Sequence, residues 1–319
     1  MRFGLVGLGQ MGRHHARLLS DSNDVEFVGA VDPMGDRHRA MSRGRVFEDL
    51  RSLIEEGIEA AVVAVPTARH REMALQLAAA EVHTLIEKPL AESIQSAIEI
   101  KEAFSSAGVL GAVGHVERFN SALQEMKRRL EADELGRVFS INTERVGPFP
   151  DRIQDVGVVK DLASHDIDIV TWIGGAAFED VSGHLAHKMG RPHEDLVVAI
   201  GRLENGVVAS MNVNWVTPMK RRSVTVLGEK GAFVADMLSS DLFFYANGDV
   251  KEEWDQVAIR RGVSEGDMIR YAFPKREPLA VEQSAFRDAV EHGHAEGIVT
   301  LDEGVAILEV AERIIGTPS

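Results

Sequence analysis

The chain opens with a short apolar run, Phe3-Gly4-Leu5-Val6, that ends in glycines at positions 7, 9 and 12, and Arg13 to Leu19 then carries helical spacing. Strand, tight turn and helix are the elements this pattern predicts. The alternation continues. Val25 to Val31 reads as a second strand and Ala60 to Val65 as a fully apolar, buried one that stops at Pro66-Thr67. His83 to Ile86 and Leu110 to Gly114 read as two more, with helical stretches at about 68–80 and 93–107. Strands alternating with helices predict a doubly wound parallel sheet with right-handed crossovers. Ligands of such sheets bind at the carboxyl ends of the strands, so the loops after Val6, Val31, Val65 and Ile86 are expected on one rim.

Near residue 120 the period changes. A helical stretch at about 120–132 is followed by alternating runs at 138–146, 181–187, 196–203, 207–216, 223–227, 232–236 and 242–245. Turn sequences such as Glu204-Asn205-Gly206 and Ala246-Asn247-Gly248 separate neighbours, which predicts an antiparallel meander. Helical patterns return at about 280–291 and 302–315. The expected fold class is therefore α/β plus α+β: a parallel-sheet domain at 1–119, then a domain at 120–319 built on a large open antiparallel sheet. The C-terminal helices at about 280–315 are expected to pack back toward the first domain. A large open sheet has two faces and the helix at 160–173 covers only one, so a second copy is expected on the other, giving a homodimer or homotetramer.

Composition narrows the function. At 319 residues the chain exceeds what one core usually supports. A net charge of −15 argues against nucleic acid or an anionic membrane as partner, but it leaves room for an anionic ligand in a local basic pocket. No cysteine is present, which removes thiolate catalysis and cysteine-ligated metals. No apolar run is long enough for a membrane span and no basic leader precedes the first strand, so a cytoplasmic location is expected. His14 and His15 are adjacent and cannot share a helix face, and neither His184 with His187 nor His292 with His294 has a third ligand in sequence, so no metal site is expected.

The glycine turn suits a dinucleotide. Gly7 turns the chain, Gly9 lets the backbone approach a pyrophosphate, and Gly12 lets the helix pack against the strand, whose N-terminus offers N–H groups to phosphate. Asp32, twenty residues past Gly12, is placed to accept both hydroxyls of an adenosine ribose, which favours NAD. Arg37, Arg39, Arg43 and Arg45 follow closely and keep NADP open. Lys88, in Glu87-Lys88-Pro89 directly after a strand, belongs on the ligand rim, and Pro89 biases its backbone toward an extended conformation. On a helix from Lys160 to Ile173, Asp161, His165, Asp168 and Trp172 share one face beside an apolar stripe of Leu162, Ile169 and Ile173. An imidazole one turn from a carboxylate is a way to orient a general base; a solvated acidic face is the other reading.

Together, the glycine turn with Asp32, Glu87-Lys88-Pro89, Gly114-His115-Val116-Glu117-Arg118-Phe119-Asn120, and Asp161 followed by His165 resemble the glucose-fructose oxidoreductase and inositol dehydrogenase family (Gfo/Idh/MocA). The resemblance spans the whole chain. It implies a Rossmann domain, an α+β domain whose open sheet mediates oligomers, and hydride transfer between nicotinamide and a sugar-like hydroxyl. Gly7, Gly9, Gln10, Met11, Gly12, Asp32, Pro66, Thr67, Glu87 and Lys88 would hold the cofactor. Lys88 would hydrogen-bond the reacting oxygen, His165 would take the hydroxyl proton, and Asp161 would support the site. The stretch from Arg145 through Phe149-Pro150-Asp151-Arg152 into Gly157 resembles the branch containing UDP-N-acetylglucosamine 3-dehydrogenases. Arg118, Arg145 and Arg152 would then serve an anionic nucleotide-sugar; the alternative is a structural network with Glu144, Asp151 and Asp155. Rival readings are an NADP-dependent carbonyl reductase on the same scaffold and a non-catalytic NAD(H) sensor.

Overall fold

A computed structural model describes residues 1–150, 156–248, 265–295 and 297–317. They group into two compact units, Met1–Val116 with Leu279–Glu309, and Glu117–Pro278 with Val310–Ser319.

The first unit contains six strands, β1 (Arg2–Val6), β2 (Glu26–Val31), β3 (Arg45–Phe47), β4 (Ala60–Val63), β5 (His83–Glu87) and β6 (Gly111–Gly114), in the order β3-β2-β1-β4-β5-β6. Every neighbouring pair is parallel. The expected doubly wound sheet is therefore present, with all carboxyl ends on one edge. The order runs outward in opposite directions from β1 and β4, which opens a crevice at the end of β1 where the glycine turn lies. Helices α1 (Gly12–Asp21), α2 (Leu50–Glu55), α3 (His70–Ala79) and α4 (Ile94–Ala107) supply the crossovers. Both faces are covered, so all four residues of β4 are buried. The pattern gave no warning of β3 and α2. Only Phe47 of the three β3 residues is buried, and α2 starts because the Asp49 side chain accepts from Ser52 N at 2.8 Å.

The C-terminal chain completes this unit. In the helix Pro278–His292, Phe286 is fully buried and meets Phe3 of β1 edge-on, with ring centroids 6.2 Å apart. The chain then runs beside β6, where Val113 N donates to Val299 O at 2.8 Å, and enters the helix Leu301–Ile315. A side chain on Gly111 would collide with Leu301, which is why a glycine opens β6.

Among the described residues the second unit has eight strands: β7 (Val138–Pro148), β8 (Phe178–Ala186), β9 (Leu196–Leu203), β10 (Val208–Asn214), β11 (Val216–Gly228), β12 (Gly231–Asp236), β13 (Asp241–Asn247) and β14 (Glu265–Arg270). Their order is β14-β13-β12-β11-β7-β10-β9-β8. The sheet departs from the expected meander at its centre, where β7 lies between β11 and β10 and runs parallel to β10. The reason is the crossover: after β7 the chain leaves through a helix, α6 (Ser164–Gly174), re-enters at the far edge as β8, and returns by hairpins until β10 lies beside β7. A separate helix, α5 (Ser121–Glu131), precedes β7 and is capped by the Asn120 side chain. Strand β9 alternates buried and exposed positions, and β12 buried and half-buried ones. The residues of the open face include Val198, Ile200, Val208, Leu227, Tyr245 and Met268, all substantially exposed.

Truncating Phe286 to alanine should cost about 3–5 kcal/mol of unfolding free energy, because it removes a fully buried ring. Denaturant melts measure this, and a loss below about 1 kcal/mol would contradict the place given to that helix in the core.

Candidate active site

The three glycines of the first turn serve different needs. Gly7 has φ +101° and its missing Cβ would lie 2.5 Å from Ala64 O. Gly12 would place a Cβ 2.0 Å from Gly7 O. Both are required by the fold itself. Gly9 is not, since nothing lies within 4 Å of where its Cβ would stand. The bare backbone there faces open space, as a pyrophosphate-binding turn requires. Gln10 and Met11 are exposed beside it, and α1 begins with no side-chain cap and no acidic residue in its first turn. Its N–H groups are thus left for an anion.

Asp32 follows β2 and its carboxylate is pinned by two amides: Leu8 N donates to Oδ2 at 2.7 Å and Met34 N to Oδ1 at 2.8 Å. The remaining lone pairs suit two ribose hydroxyls. Two of the four arginines that kept NADP open are committed elsewhere. Arg43 donates to Ser20 O, and Arg45 pairs with Glu56 while lying 4.4 Å over the Phe47 ring. Pro66 and Thr67 form a short turn directly after β4 on the same edge. These residues fit NAD: open space at Gly9, uncapped amides and an oriented carboxylate.

The Lys88 loop is held from within. Glu87, at the end of β5, turns its carboxylate into the protein rather than toward a ligand: Oε1 lies 2.9 Å from His15 Nε2, and Oε2 accepts from Lys88 N at 3.2 Å. His15 Nδ1 lies 2.8 Å from the Gln283 amide nitrogen of the helix Pro278–His292. The amide donates to Nδ1, so Nε2 carries the proton given to Glu87. Burial works to raise the Glu87 carboxyl, but the His15 hydrogen bond, with the nearby Lys88 charge, outweighs it and holds it below the usual glutamate range. On the other side, the buried His70 ring spans Val65 O at 2.9 Å and Pro89 O at 3.0 Å, tying the loop after β4 to the loop after β5. Burial pushes the His70 imidazole below its ordinary value. Two imidazoles, neither singled out as a site residue from the pattern, thus position the backbone of Lys88. The sequence signal was present only as histidines in otherwise apolar helix faces.

In the second unit, Asp161 and His165 lie on a helix that begins with a π-helical turn, Val159–Ala163, and becomes α-helical at Ser164. The expected continuous α-helix is thus broken between the two residues, a rare geometry that recurs at functional sites. The alternative reading, a solvated acidic face, does not hold. Asp161, His165, Asp166 and Asp168 are all buried. Glu194 anchors the start: its Oε1 accepts from Val159 N at 3.0 Å and its carbonyl from Val158 N, while a Cβ on Gly157 would lie 2.0 Å from that Oε1. Gly157 is glycine so that Glu194 can reach the helix N-terminus.

The arginines expected at substrate are placed otherwise. Arg118 pairs with Asp168, and its guanidinium lies 5.6 Å from the Trp172 ring centre. Arg145 is 1% exposed, with Nε on Asp166 Oδ2 and Nη1 on Glu117 Oε1, both at 2.7 Å. Its guanidinium offers no surface to a ligand. The carboxylates that pair with it are also not those expected, since Glu144 pairs with Arg221. Arg152 lies outside the described residues, as do Asp151 and Asp155. Among the described residues no cluster of three metal-ligating side chains occurs, and no helix is long and apolar enough to cross a membrane.

A Rossmann sheet with a pyrophosphate turn, an oriented ribose acceptor and a fixed lysine defines an NAD-dependent oxidoreductase. Residues 1–115 match a family model described as oxidoreductase family, NAD-binding Rossmann fold, and residues 123–234 match the C-terminal domain of the same family. The chain belongs to the Gfo/Idh/MocA oxidoreductase family. UDP-N-acetylglucosamine 3-dehydrogenase of Acidithiobacillus ferrooxidans is 27% identical over 251 residues, 78% of each chain. Inositol 2-dehydrogenase 2 of Saccharopolyspora erythraea is 30% identical over 224 residues, 67% of this chain and 66% of that one. The solved structure of the Acidithiobacillus enzyme superposes with a TM-score of 0.85 at 25% identity, covering 99% of this chain and 97% of the other.

Two outcomes follow from this geometry. Gly9→Ala should leave stability within about 0.5 kcal/mol and weaken NAD binding in calorimetry, whereas Gly12→Ala should destabilise by about 1–3 kcal/mol or more; equal stability losses would contradict the division of roles. Glu87 contributes stability that is complete above the ordinary glutamate value of 4.5 and is lost as pH falls through its lowered folded-state value. Glu87→Gln should therefore be less stable than the parent at neutral pH, with the gap closing on acidification. A gap that widens in acid would contradict the sign.

Proposed function

We propose that the protein oxidises a secondary hydroxyl of a sugar, cyclitol or nucleotide-sugar, with UDP-N-acetylglucosamine as the first substrate to test. The observation that carries this reading is the pair Asp161 and His165, buried together at the π-to-α junction of one helix, in a chain similar along most of its length to a UDP-N-acetylglucosamine 3-dehydrogenase. A protein that only senses NAD(H) has no need of an acid–base set. The pinned Asp32 and the committed Arg43 and Arg45 favour NAD over NADP.

NAD, when bound, accepts the hydride. The chain's own part is to manage the proton and the charge. Loss of hydride from a carbinol builds positive character at carbon, so the hydroxyl proton must leave with it or before it, and His165 is the base we assign to that proton. Asp161 supports the imidazolium that forms. Lys88, its backbone clamped through Glu87 and the Pro89 carbonyl, places an ammonium against the reacting oxygen and stabilises the negative charge that develops there. Residues 120–319 form the substrate and oligomerisation domain in this reading, and the apolar open face of its sheet buries against a second copy to give a homodimer or homotetramer.

His165→Ala should lower turnover by about 10²–10⁴-fold, measured as NADH absorbance at 340 nm, with NAD affinity retained. Oxidation by the parent should rise with pH across the range in which an imidazole loses its proton. A pH profile left unaltered by His165→Ala would remove His165 from the role of base.

A further inference from the structure

On the second unit, β11 and β7 pair so that Arg222 stands opposite Arg145. Both side chains therefore leave the same face, the one from which Arg145 reaches Asp166 on α6. Lys220 lies on the same side: a Cβ built on Gly147 would lie 3.7 Å from both its Cα and its Cγ, so its stem crosses a position with no side chain, two residues beyond Arg145.

The charges on this face do not balance. Arg145 and Arg222 each donate to the same oxygen, Glu117 Oε1, both at 2.7 Å. Asp166 takes the second edge of Arg145. Among the described residues, three cations thus face two carboxylates, in a chain whose net charge is −15. Burial pushes the Asp166 carboxyl up despite the adjacent Arg145. The positive charge of Arg222, then burial, hold the Lys220 ammonium below its ordinary value, and no described carboxylate lies within ion-pair distance of it. Arg222 keeps a partly exposed guanidinium that gives its Nη1 donor to Glu117. Like charges held together without a counter-ion are costly, and a bound anion removes that cost.

We propose that Lys220 and Arg222 form an anion subsite that takes the phosphoryl group of a phosphorylated or nucleotide-linked sugar. The subsite deepens the dehydrogenase reading and rests on it. Asp166, which completes the cluster, directly follows His165 on α6, so the anion would be held by the sheet that the base-bearing helix packs on. Arg145 is the buried frame that fixes Glu117 and through it Arg222, and it does not itself touch the anion. The shared chemistry is a phosphate dianion or a diphosphate, recognised by one ammonium and one guanidinium.

The test uses the full-length protein saturated with NADH, titrated in a calorimeter with UDP-N-acetylglucosamine, glucose 6-phosphate and myo-inositol, for the parent and for Lys220→Ala, Lys220→Glu and Lys220→Arg. Lys220 is exposed, so these variants should fold, and unchanged NADH affinity verifies it. At least one phosphorylated ligand should bind the parent, lose about tenfold in affinity in Lys220→Ala and more in Lys220→Glu, and recover in Lys220→Arg. UDP-N-acetylglucosamine alone responding identifies a diphosphate, and glucose 6-phosphate alone a monophosphate. Equal affinity of every phosphorylated ligand for the parent and Lys220→Glu, or no phosphorylated ligand binding at all, would overturn the subsite. The two readings separate cleanly: myo-inositol oxidation unchanged in Lys220→Glu, with no phosphoryl-dependent binding, removes the subsite and keeps the dehydrogenase. Lys220-dependent binding of a phosphorylated ligand without turnover of any sugar keeps the subsite and removes the dehydrogenase.

Discussion

The helix carrying Asp161 and His165 is buried around its circumference, and that burial depends on charge pairing. Asp168 and Asp166 are fully inside, and a carboxylate there without a partner would cost several kcal/mol. Arg118 answers the first and Arg145 the second. The arginines are therefore structural cations of the second unit. Their pairing sets the helix against the sheet, and Glu194 holds its first turn by accepting from Val159 N. The π-helical turn Val159–Ala163 begins at that Glu194 anchor and gives way to the α-helix before His165.

The first unit uses the same physics at the strand ends. Loops at the carboxyl edge of a parallel sheet have few partners of their own. Here the loop after β5 is fixed by two buried imidazoles, His15 through Glu87 and His70 through Pro89 O. Gln283 extends the first of these contacts into the C-terminal helix, whose Phe286 lies against Phe3. Thus the glycine helix, the lysine loop and the end of the chain form one hydrogen-bonded, apolar assembly. A lysine whose backbone is so held has less to order when a ligand arrives.

Much of this was legible in the sequence, for reasons that can be named. A fully buried parallel strand must be apolar, so Ala60 to Val63 read correctly, and a dinucleotide turn demands glycines whose roles survive inspection atom by atom. What escaped were features set by tertiary partners. Strand β3 has too few apolar residues to show a period. The parallel insertion of β7 beside β10 depends on where a crossover lands, and alternation alone reports that a residue pair faces one way, not which strand lies next to it. Arg145 carried no local sign that its partners were Glu117 and Asp166, 28 and 21 positions away. The same long-range pairing hid Lys220 and Arg222, which look like ordinary residues of a basic strand end until Arg145 is seen beneath them.

The catalytic role of Lys88, Asp161 and His165 requires that hydride leave a carbinol carbon for nicotinamide on this protein. The most direct measurement is isotopic: incubate the protein with NAD and UDP-N-acetylglucosamine, glucose 6-phosphate or myo-inositol deuterated at each ring carbinol carbon, and follow the label by mass spectrometry. Deuterium appearing in the reduced nicotinamide, with the matching substrate converted to its ketone, is the predicted result. Tight NAD binding with no label transferred from any of these carbons would contradict it.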